Sequence, residues 1–426
     1  EVVFPLSGQR KGRMAEIRKI IFIKNAVETL GYFSEQIARE LERNGYETCF
    51  IDYERMYESM DVMLHFLDRE ETALVTFNFI GLRGEAVFQT ESGRSIWQEE
   101  NLPILNILVD HPLYYHSCLK EAGERMRVFC VDREHVGYVR RFYPGVKVEF
   151  LPLAGNELFV SQKDGEHGIH RTHCEDVPEP VLYGQRTFDL VFAANYVSME
   201  MLEEKVKALD DDYRIFYRRI TEDLIADPAQ SVDAVMERHI RNELGAVPEE
   251  QLCAAMSGMI WIDLFARSYF REKVVQTLAD AGIIVRVFGA DWEKIHCKKP
   301  QNVRTSGGKV NSAACVQAMR DARIALNVMP WFKDGAHDRV FTAMLQGTVA
   351  LTDDSRYLRE ECRDGENICF YSLRALQQLP DQVVSLLEDP VRMAELAERG
   401  YRMAEKRHRW KNRAGLLMQA LRDIDK

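Results

Sequence analysis

Residues 324–353 have the sequence IALNVMPWFKDGAHDRVFTAMLQGTVALTD, and this stretch decides the fold. An apolar run at 324–328 leads into a polar loop, a helical run opens at Asp338 and stops at Gly347, and a second apolar run ends at Asp353. Short apolar runs are typical of parallel strands covered on both faces, and aspartate is a favourable N-cap residue. The stretch therefore predicts a strand, loop, helix and strand in succession, as in an α/β fold.

The start of this helix is a candidate anion site. The first turn of a helix has unpaired N–H groups and the positive end of the helix dipole. His337 and Arg339 add further donors at the same place. The alternative is that Asp338 only caps the helix and Arg339 lies on the surface, so the choice depends on the rest of the chain.

Composition narrows the class of protein. The chain has 426 residues, of which 46% are hydrophobic, and this length suggests two or three globular domains. No apolar stretch approaches the length of about 20 residues needed to span a bilayer. Nine scattered cysteines without a Cys-x-x-Cys pair favour a reducing, cytoplasmic setting. A net charge of −11 argues against nucleic acid as a partner.

Both halves of the chain alternate strands and helices. In the first half, apolar runs at 20–23, 47–51, 72–77, 103–109, 128–131 and 146–151 are separated by helical stretches. A polar, glycine-containing segment at 153–183 predicts a linker, and alternation resumes with a strand at 188–194. We predict an α/β fold of two doubly wound, Rossmann-like domains that face a cleft.

The predicted domains are residues 1–180, on the acceptor side, and residues 181–390. The second domain contains a mostly helical, charged insertion at about 198–265. Residues 391–426 predict a C-terminal helix that packs back toward the first domain. Ligands of such folds bind at the carboxyl ends of the strands, which places the predicted site in the cleft.

A series of motifs in the second half resembles a known family. The series comprises an Arg-rich helix, a strand ending at Phe288-Gly289, Trp292, a strand ending at Leu326-Asn327, the stretch from His337 to Asp353, Tyr357-Leu358, Gly365-Glu366-Asn367 and His408-Arg409-Trp410. It resembles GT-B glycosyltransferases, and within them the bacterial relatives of spore maturation protein CgeB. The resemblance covers residues 185–426.

The resemblance implies that the second domain binds a nucleotide diphosphate sugar, with a UDP-sugar as the expected donor, and that the first domain binds the acceptor. No metal or other cofactor is expected. Charge develops on the leaving diphosphate, so donors aimed at its oxygens would accelerate transfer. The candidate donor-binding residues are Asn195, Gly289, Trp292, Asn327, His337, Asp338 and Arg339. For Trp292, packing is the alternative to stacking on the base.

One departure from the family pattern concerns two carboxylates. Family members carry glutamates near the start of the loop and early in the following helix, and these places hold Asp334 and Thr342 here. A threonine supplies no charge for the ribose hydroxyls of a donor. Ribose recognition is therefore unassigned, and the departure weakens the link to the retaining mechanism associated with the paired glutamates.

The acceptor side offers two candidate catalytic residues. Asp110 and His111 follow a strongly apolar strand, which predicts a position at the mouth of the cleft. An inverting transfer needs a general base, and either residue would serve, the aspartate after an upward shift of its pKa. The alternative is a turn before Pro112 with a structural histidine. The loop 29–31 is a further place for acceptor contact.

Two other motifs have less support. Three histidines and a cysteine within residues 166–174 are permissible metal ligands, but their spacing matches no common zinc finger, and a solvated loop is the favoured interpretation. Gly307-Gly308-Lys309 lacks the upstream glycine and the following hydroxyl residue of a phosphate-binding loop.

We therefore expect a metal-independent glycosyltransferase acting on a polysaccharide, protein or other acceptor, without an integral membrane segment. One alternative is a nucleotide-sugar epimerase or hydrolase with the same fold, which would need no acceptor. The other is a catalytically silent homologue that binds a nucleotide or a protein partner, a reading that Thr342 keeps open.

Overall fold

The computed structural model describes residues 16–158, 183–207 and 210–424 of the chain. It confirms the predicted α/β architecture, with two six-stranded sheets whose paired strands all run parallel. The carboxyl ends of the strands in each sheet therefore lie along one edge, where loops carry the side chains of the site.

The first sheet has the strand order β2-β1-β3-β4-β5-β6. Its strands are β1 (Lys19–Lys24), β2 (Glu47–Asp52), β3 (Thr72–Phe77), β4 (Ile104–Leu108), β5 (Met126–Cys130) and β6 (Lys147–Phe150). Its helices are α1 (Glu28–Arg43), α2 (Met56–Phe66), α3 (Ile96–Glu99), α4 (His116–Lys120) and α5 (Arg133–Phe142). All residues of β3 and β4 are buried, as expected for central strands with helices on both faces.

The helical insertion follows β7 (Phe188–Ala193), the first strand of the second domain. It consists of α6 (Met199–Lys207), α7 (Asp211–Ala226), α8 (Val232–Leu244) and α9 (Glu249–Ser257). The sequence predicted two helices here, one at the end of the insertion and one after it. In the structure they form one continuous helix, α10 (Ile260–Ala281). Because α10 packs against the strands of the second sheet, the insertion is anchored to that domain at its end.

The second sheet has the order β12-β11-β10-β7-β8-β9. The remaining strands are β8 (Val285–Phe288), β9 (Val303–Thr305), β10 (Ala322–Asn327), β11 (Val349–Asp353) and β12 (Cys369–Tyr371). The helices between and after them are α11 (Ser312–Arg320), α12 (Asp338–Leu345), α13 (Arg356–Glu361) and α14 (Leu379–Glu388). β10, α12 and β11 form the strand–helix–strand unit predicted from residues 324–353.

The insertion packs against the first domain, although it belongs to the second half of the chain. Ile220, Val235 and Leu252 share a buried apolar cluster with Leu113 and Tyr138. Ion pairs at its edge join Arg141 to carboxylates of α8 and α9. The insertion therefore bridges the two domains on one side of the cleft.

The C-terminal residues return to the first domain through α15 (Pro390–Arg407) and α16 (Trp410–Arg422). The ring of Trp410 lies 5.2 Å from that of Phe33 on α1. Its indole N–H donates to the side-chain oxygen of Asn156 at 2.9 Å. The domains are thus also joined on a second side. Among the described residues, no helix is long and apolar enough to cross a membrane.

Candidate active site

A cavity of about 270 Å³ opens between the two domains at the carboxyl ends of β7 and β8. Thr29 and Asn156 line it from the first domain. Asn195, Arg271 and Arg339 line it from the second. The cavity therefore lies where the sequence predicted the ligand cleft, and it contains two arginines.

The start of α12 forms one wall of this cavity. The N-cap residue is His337 rather than Asp338, which corrects the predicted cap by one residue, and its Nδ1 accepts the backbone N–H of Arg339 at 3.4 Å. Asp338 is the first helical residue, and its carboxylate lies 2.7 Å from the His337 ring. Asn156 donates to the other Asp338 oxygen at 2.9 Å. Asp338 therefore joins α12 to the first domain.

Burial controls the protonation states at this helix start. Burial, reinforced by the nearby Arg339 cation, lowers the pKa of His337 to about 4, so the imidazole is neutral at physiological pH. Burial also opposes ionisation of Asp338, but His337, Arg339 and Asn156 outweigh it and lower the pKa of that carboxyl. The net charge of the three residues 337–339 is thus close to zero at pH 7.

Arg339 points from α12 across the end of β7. Its Nη1 donates to the Ala193 carbonyl at 2.8 Å, and its Nε donates to His337 Nδ1 at 3.0 Å. Burial lowers the pKa of its guanidinium. No carboxylate among the described residues forms an ion pair with it, so its remaining donors are available to a ligand.

Arg271 is a second, half-buried cation that the sequence-based candidate set missed. It extends from α10, where Nη1 donates to the backbone carbonyl of Asn195 at 3.1 Å. Its Nε has no hydrogen-bond partner within the described part of the chain, and no carboxylate there lies within ion-pair distance. Burial, together with the cations of Arg339 and Arg267, lowers its pKa well below the usual value. A spacing of four residues between Arg267 and Arg271 in the Arg-rich helix was the sequence signal.

Asn195 lines the cavity at the end of β7, whereas Gly289, after β8, does not line it. The Asn195 side-chain oxygen accepts the backbone N–H of Ala290 at 3.0 Å. Gly289 has φ +155°, and a Cβ there would lie 2.1 Å from the Ala194 carbonyl oxygen. Only glycine permits this approach, so Gly289 has a structural reason to be present and supplies no side chain to a ligand.

Trp292 and Asn327 do not line the cavity, which corrects both as ligand contacts. Trp292 is fully buried, donates its indole N–H to Ala194 at 2.6 Å and stacks on Tyr196 at 4.9 Å. Asn327 is buried in the sheet, where its side chain donates to Thr352 at 2.9 Å. Trp292 therefore holds the Ala194 carbonyl after β7, and Asn327 joins β10 to β11.

Asp110 lies at the end of β4 as predicted, but its surroundings differ from those of a general base. Arg267 donates to one carboxylate oxygen at 3.0 Å, and Asn78 donates to the other at 3.0 Å. Burial alone would raise its pKa, but Arg267 and the hydrogen bonds outweigh burial and lower it. The expected upward shift is therefore wrong, and Asp110 remains a carboxylate at neutral pH.

His111 lies away from the cavity and serves the packing of the insertion. It is buried, and its Nδ1 accepts the backbone N–H of Leu113 at 3.1 Å. Its Nε2 lies 3.7 Å from Asp233 on α8, and its ring lies 4.5 Å from that of His135. These contacts occupy the imidazole and correct its assignment as a catalytic base.

Asp334 and Thr342 occupy the places of the family's two glutamates. Thr342 lines the cavity, where its hydroxyl donates to the Asp338 carbonyl at 2.9 Å and accepts the backbone N–H of Asn156 at 3.0 Å. Asp334 lies outside this cavity and pairs with Arg133 at 3.3 Å. The Asn156 segment thus covers the position from which a longer carboxylate side chain would extend.

The domains also touch across the cavity mouth. Both the backbone N–H and the hydroxyl of Ser312, at the start of α11, donate to the carboxylate of Glu28 at 2.8 and 2.7 Å. Glu28 begins α1, and residues 29–31, predicted as a loop that reaches the acceptor, belong to the first turn of this helix. This contact between α1 and α11 shows that both domains contribute to a single site.

Within the described ranges, no group of three or more histidine, cysteine or acidic side chains is placed to hold a metal ion. The segment 166–174, with its three histidines and a cysteine, lies outside the described residues.

Comparisons with known proteins agree with this architecture. Residues 267–419 match a family model described as glycosyl transferase-like. No curated protein sequence matches the chain. The matched region includes Arg267, Arg271, α12 and most of α16, so the likeness in sequence covers the residues of the second domain that line the donor cavity from α10 and α12.

Two solved structures resemble the chain over nearly its whole length. One is sucrose-phosphate synthase from Thermosynechococcus elongatus, with a TM-score of 0.52 and 11% identity, covering 96% of this chain and 99% of that one. The other is an α-glucosyltransferase in complex with UDP and DNA, with a TM-score of 0.51 and 9% identity, covering 97% and 100%. At this identity the likeness establishes the fold, which is that of GT-B glycosyltransferases. Residues 267–419 therefore resemble glycosyl transferase-like sequences, and the chain as a whole has the GT-B fold.

Proposed function

We propose that the cavity between the domains binds a nucleotide diphosphate sugar and that the chain transfers this sugar to an acceptor in the same cleft. The observation that carries the proposal is the position of Arg271 and Arg339, two half-buried arginines that line one cavity and form no ion pair with a carboxylate of the described residues. The Nε of Arg271 also has no hydrogen-bond partner in that part of the chain, and an anionic ligand best explains such guanidinium groups in a cavity.

The diphosphate fits this charge better than a single carboxylate does. Arg271 and Arg339 project from different helices into one cavity. Each guanidinium presents several N–H donors in one plane, which suits the oxygens of a diphosphate. The first turn of α12 adds backbone N–H groups at the same wall. Together these groups would bind the diphosphate and stabilise the charge that it gains as the leaving group.

Because the arginines supply this positive charge, we propose that transfer needs no metal ion. We also propose UDP as the nucleoside diphosphate, and the α-glucosyltransferase that shares the fold was solved with UDP. Asn156 and Asp338 lie beside Thr342 and are the proposed contacts for the ribose hydroxyls in place of the family's glutamate. We further propose that the chain is a relative of the spore maturation protein CgeB and that it acts in the cytoplasm.

On the acceptor side, Asp110 is the proposed contact. As an ionised carboxylate it would accept a hydrogen bond from an acceptor hydroxyl, although its low pKa makes it a weak general base. Its pairing with Arg267 would hold it in one orientation. The proposed acceptor is a saccharide or a glycosylated protein or lipid, bound between Asp110 and the start of α1 at Thr29.

A second candidate function has one observation in its favour. The absence of a carboxylate at Thr342 would also suit a homologue that binds a nucleotide without transferring a sugar. An epimerase or hydrolase would turn over the donor without an acceptor. These functions differ from the proposed one in turnover and not in nucleotide binding.

The first experiment is thermal unfolding of the protein with UDP, GDP, dTDP, CDP and ADP, each with and without magnesium. A ligand that binds only the folded state stabilises it by about 2.7 kcal/mol at about 100 times its Kd. We expect a magnesium-independent rise of the unfolding temperature with one nucleotide, absent in Arg271→Met. If no nucleotide stabilises the protein, the proposed donor site is wrong.

Turnover is then measured by incubating the protein with the corresponding nucleotide sugar and a panel of saccharides. We expect a product whose mass exceeds that of one saccharide by a single sugar residue. Release of the nucleotide without such a product would support a hydrolase, and binding without any turnover would support the silent homologue.

A further inference from the structure

A second cavity, of about 490 Å³, lies at the carboxyl ends of β11 and β12. Asp353, Ser355 and Ser372 line it from the second domain, Pro228 lines it from the insertion, and Glu134 lines it from the first domain. It shares no lining residue with the donor cavity. Three parts of the chain therefore enclose a site that nucleotide binding leaves unused.

Lys333 lies at the base of this cavity. Its Nζ donates to the backbone carbonyls of Pro228, at 2.6 Å, and Pro330. Among the described residues, no carboxylate lies within ion-pair distance of this ammonium. An ammonium group has three donors, so one remains for a ligand. Burial lowers the pKa of Lys333, and the nearby carboxylates of Asp353 and Glu134 offset this shift only in part.

Asp353 is the second polar group at the base. It is buried, and one carboxyl oxygen accepts the backbone N–H of Met329 at 2.8 Å. Burial raises its pKa to about 7, so the group is partly protonated at neutral pH. A carboxyl group in this state can both donate to and accept from a hydroxyl, which suits a polyhydroxylated ligand.

Three arginines form the rim. Arg356 pairs with Glu134 at 2.6 Å, Arg359 pairs with Asp354, and Arg374 pairs with a carboxylate of the insertion. Their side chains are 63%, 70% and 57% exposed, so these pairs are screened by water and are weak. A guanidinium has five N–H donors and can retain its carboxylate while it binds an anion.

The charges in this cavity favour an anionic ligand. Four cations line it, and three of them, the rim arginines, pair with Glu134, Asp334, Asp354 and Asp227. Lys333 is the lining cation without an ion pair among the described residues, and Asp353, partly protonated at pH 7, offsets its charge only in part. The ring of Phe332 also lines the cavity and offers an apolar face. Hydroxyl, carboxyl, cationic and aromatic groups together are those that bind an acidic sugar.

A small cavity adjoins this site. It shares Pro228, Pro330 and Lys333 with the second cavity and is also lined by Arg267 and Trp331. The guanidinium groups of Arg267 and Arg271 lie 4.5 and 5.1 Å from the centre of the Trp331 ring. Arg271 lines the donor cavity, so cations follow one another from the donor cavity to the second cavity.

We propose that the second cavity binds a saccharide that carries a carboxylate or a phosphate group. The anionic group lies between Lys333 and the rim arginines, and the sugar hydroxyls contact Asp353 and the adjacent serines. Such a saccharide is either part of an acidic acceptor or a separate effector. The acceptor role rests on the proposed function, whereas binding itself does not.

The test is calorimetric titration of the full chain with glucuronic acid and with glucose 6-phosphate, using glucose as the neutral match. We expect at least one of the acidic sugars to bind about ten-fold more tightly than glucose or better. Lys333→Met and Arg374→Gln are each expected to weaken this binding about ten-fold. Arg363→Gln is the matched control, because Arg363 is exposed and does not line the cavity.

Nucleotide binding is measured on the same variants. UDP affinity is expected to stay within about two-fold of the wild type in Lys333→Met and Arg374→Gln, which also shows that both variants are folded. The proposal is overturned if neither acidic sugar binds better than glucose, if the variants bind like the wild type, or if UDP displaces the acidic sugar. If UDP does not bind the wild type, the proposed function is wrong, but the sugar titration can still be interpreted.

Incubation with a nucleotide sugar separates the two sources of the ligand. A gain in mass of the acidic sugar identifies it as an acceptor. A changed rate of nucleotide release without such a gain identifies it as an effector. Both results require binding in the second cavity. They differ in whether the bound sugar is an acceptor or an effector.

Discussion

Arg267 and Arg271 lie one turn apart on α10, and they differ in countercharge. Arg267 pairs with Asp110 at 3.0 Å and with Asp263 at 2.7 Å, and these carboxylates outweigh burial and raise its pKa. Arg271 has no such partner among the described residues, and burial lowers its pKa. Both guanidinium groups lie over Trp331.

The difference separates a structural arginine from a ligand-binding one. Arg267 joins α10 of the second domain to Asp110 of the first, so its charge is used within the fold. The half-buried charge of Arg271 has no carboxylate partner among the described residues, and this lack of a countercharge indicates an anion-binding site. The same residue type on the same helix face thus has two roles, which are distinguished by the carboxylates around each.

The largest expected effect belongs to Arg267→Met. Removing the cation leaves Asp110 and Asp263 without their partner, and Asp263 is almost fully buried. We expect a loss of about 3–5 kcal/mol in the free energy of unfolding, measured by urea denaturation at pH 7. A loss below about 1 kcal/mol would show that the pair contributes little and would remove the basis of the comparison.

The comparison of paired and unpaired charges extends to Asp353, a buried carboxyl group that has no ion pair among the described residues. Its pKa of about 7 in the fold exceeds the value of about 3.9 in an unfolded chain, so the folded state holds a proton that the unfolded state has released. This contribution to stability is present below about pH 4 and is lost as pH rises to 7.

Asp353→Asn should therefore become more stable than the wild type by about 1 kcal/mol per pH unit between pH 4 and 7, with a plateau above. The asparagine retains an oxygen for the Met329 N–H. Urea denaturation at four pH values measures the difference. A difference that does not change with pH would show that Asp353 is ionised throughout.

Arg271→Met tests the other half of the comparison. We expect it to weaken UDP binding by about 1.5–3 kcal/mol, or about 10- to 150-fold, because a charge-assisted contact to the diphosphate is lost. Stability without ligand should fall by less than about 1 kcal/mol or rise, because the variant removes a buried cation that has no partner. Titration calorimetry and urea denaturation measure the two quantities.

Arg267→Met is the matched control for this variant, since both exchange an arginine of α10 for methionine. If Arg271→Met loses as much stability as Arg267→Met and retains its affinity for UDP, the assignment of Arg271 to the donor site is wrong.

The smallest expected effect concerns pH and the donor. Because the pKa of His337 is lowered to about 4, its imidazole is neutral from pH 5.5 upward. Affinity for UDP-glucose, whose diphosphate does not titrate in this range, should change less than about two-fold between pH 5.5 and 8. A gain near pH 6.5 that His337→Asn abolishes would show a charged His337 in the bound state.

The local pattern predicted much of the site's framework. The apolar runs on either side of the helical run in residues 324–353 correctly predicted β10, α12 and β11, and placed Arg339 at the cleft. Local patterns failed where a distant contact decides. His337 rather than Asp338 caps α12, and Trp292 is buried under the Ala194 carbonyl that Gly289 allows to approach.

The sequence by itself determined the two doubly wound domains and the helix start with Arg339, because strand and helix periodicity is a property of neighbouring residues. Only the tertiary structure decided which cations have partners. Arg267 meets Asp110 across 157 residues of chain, whereas Arg271 donates to the carbonyl of Asn195, 76 residues away, and has no ion pair among the described residues. Countercharge is a matter of distances between side chains from different elements, and these distances are set when the domains and the insertion pack together.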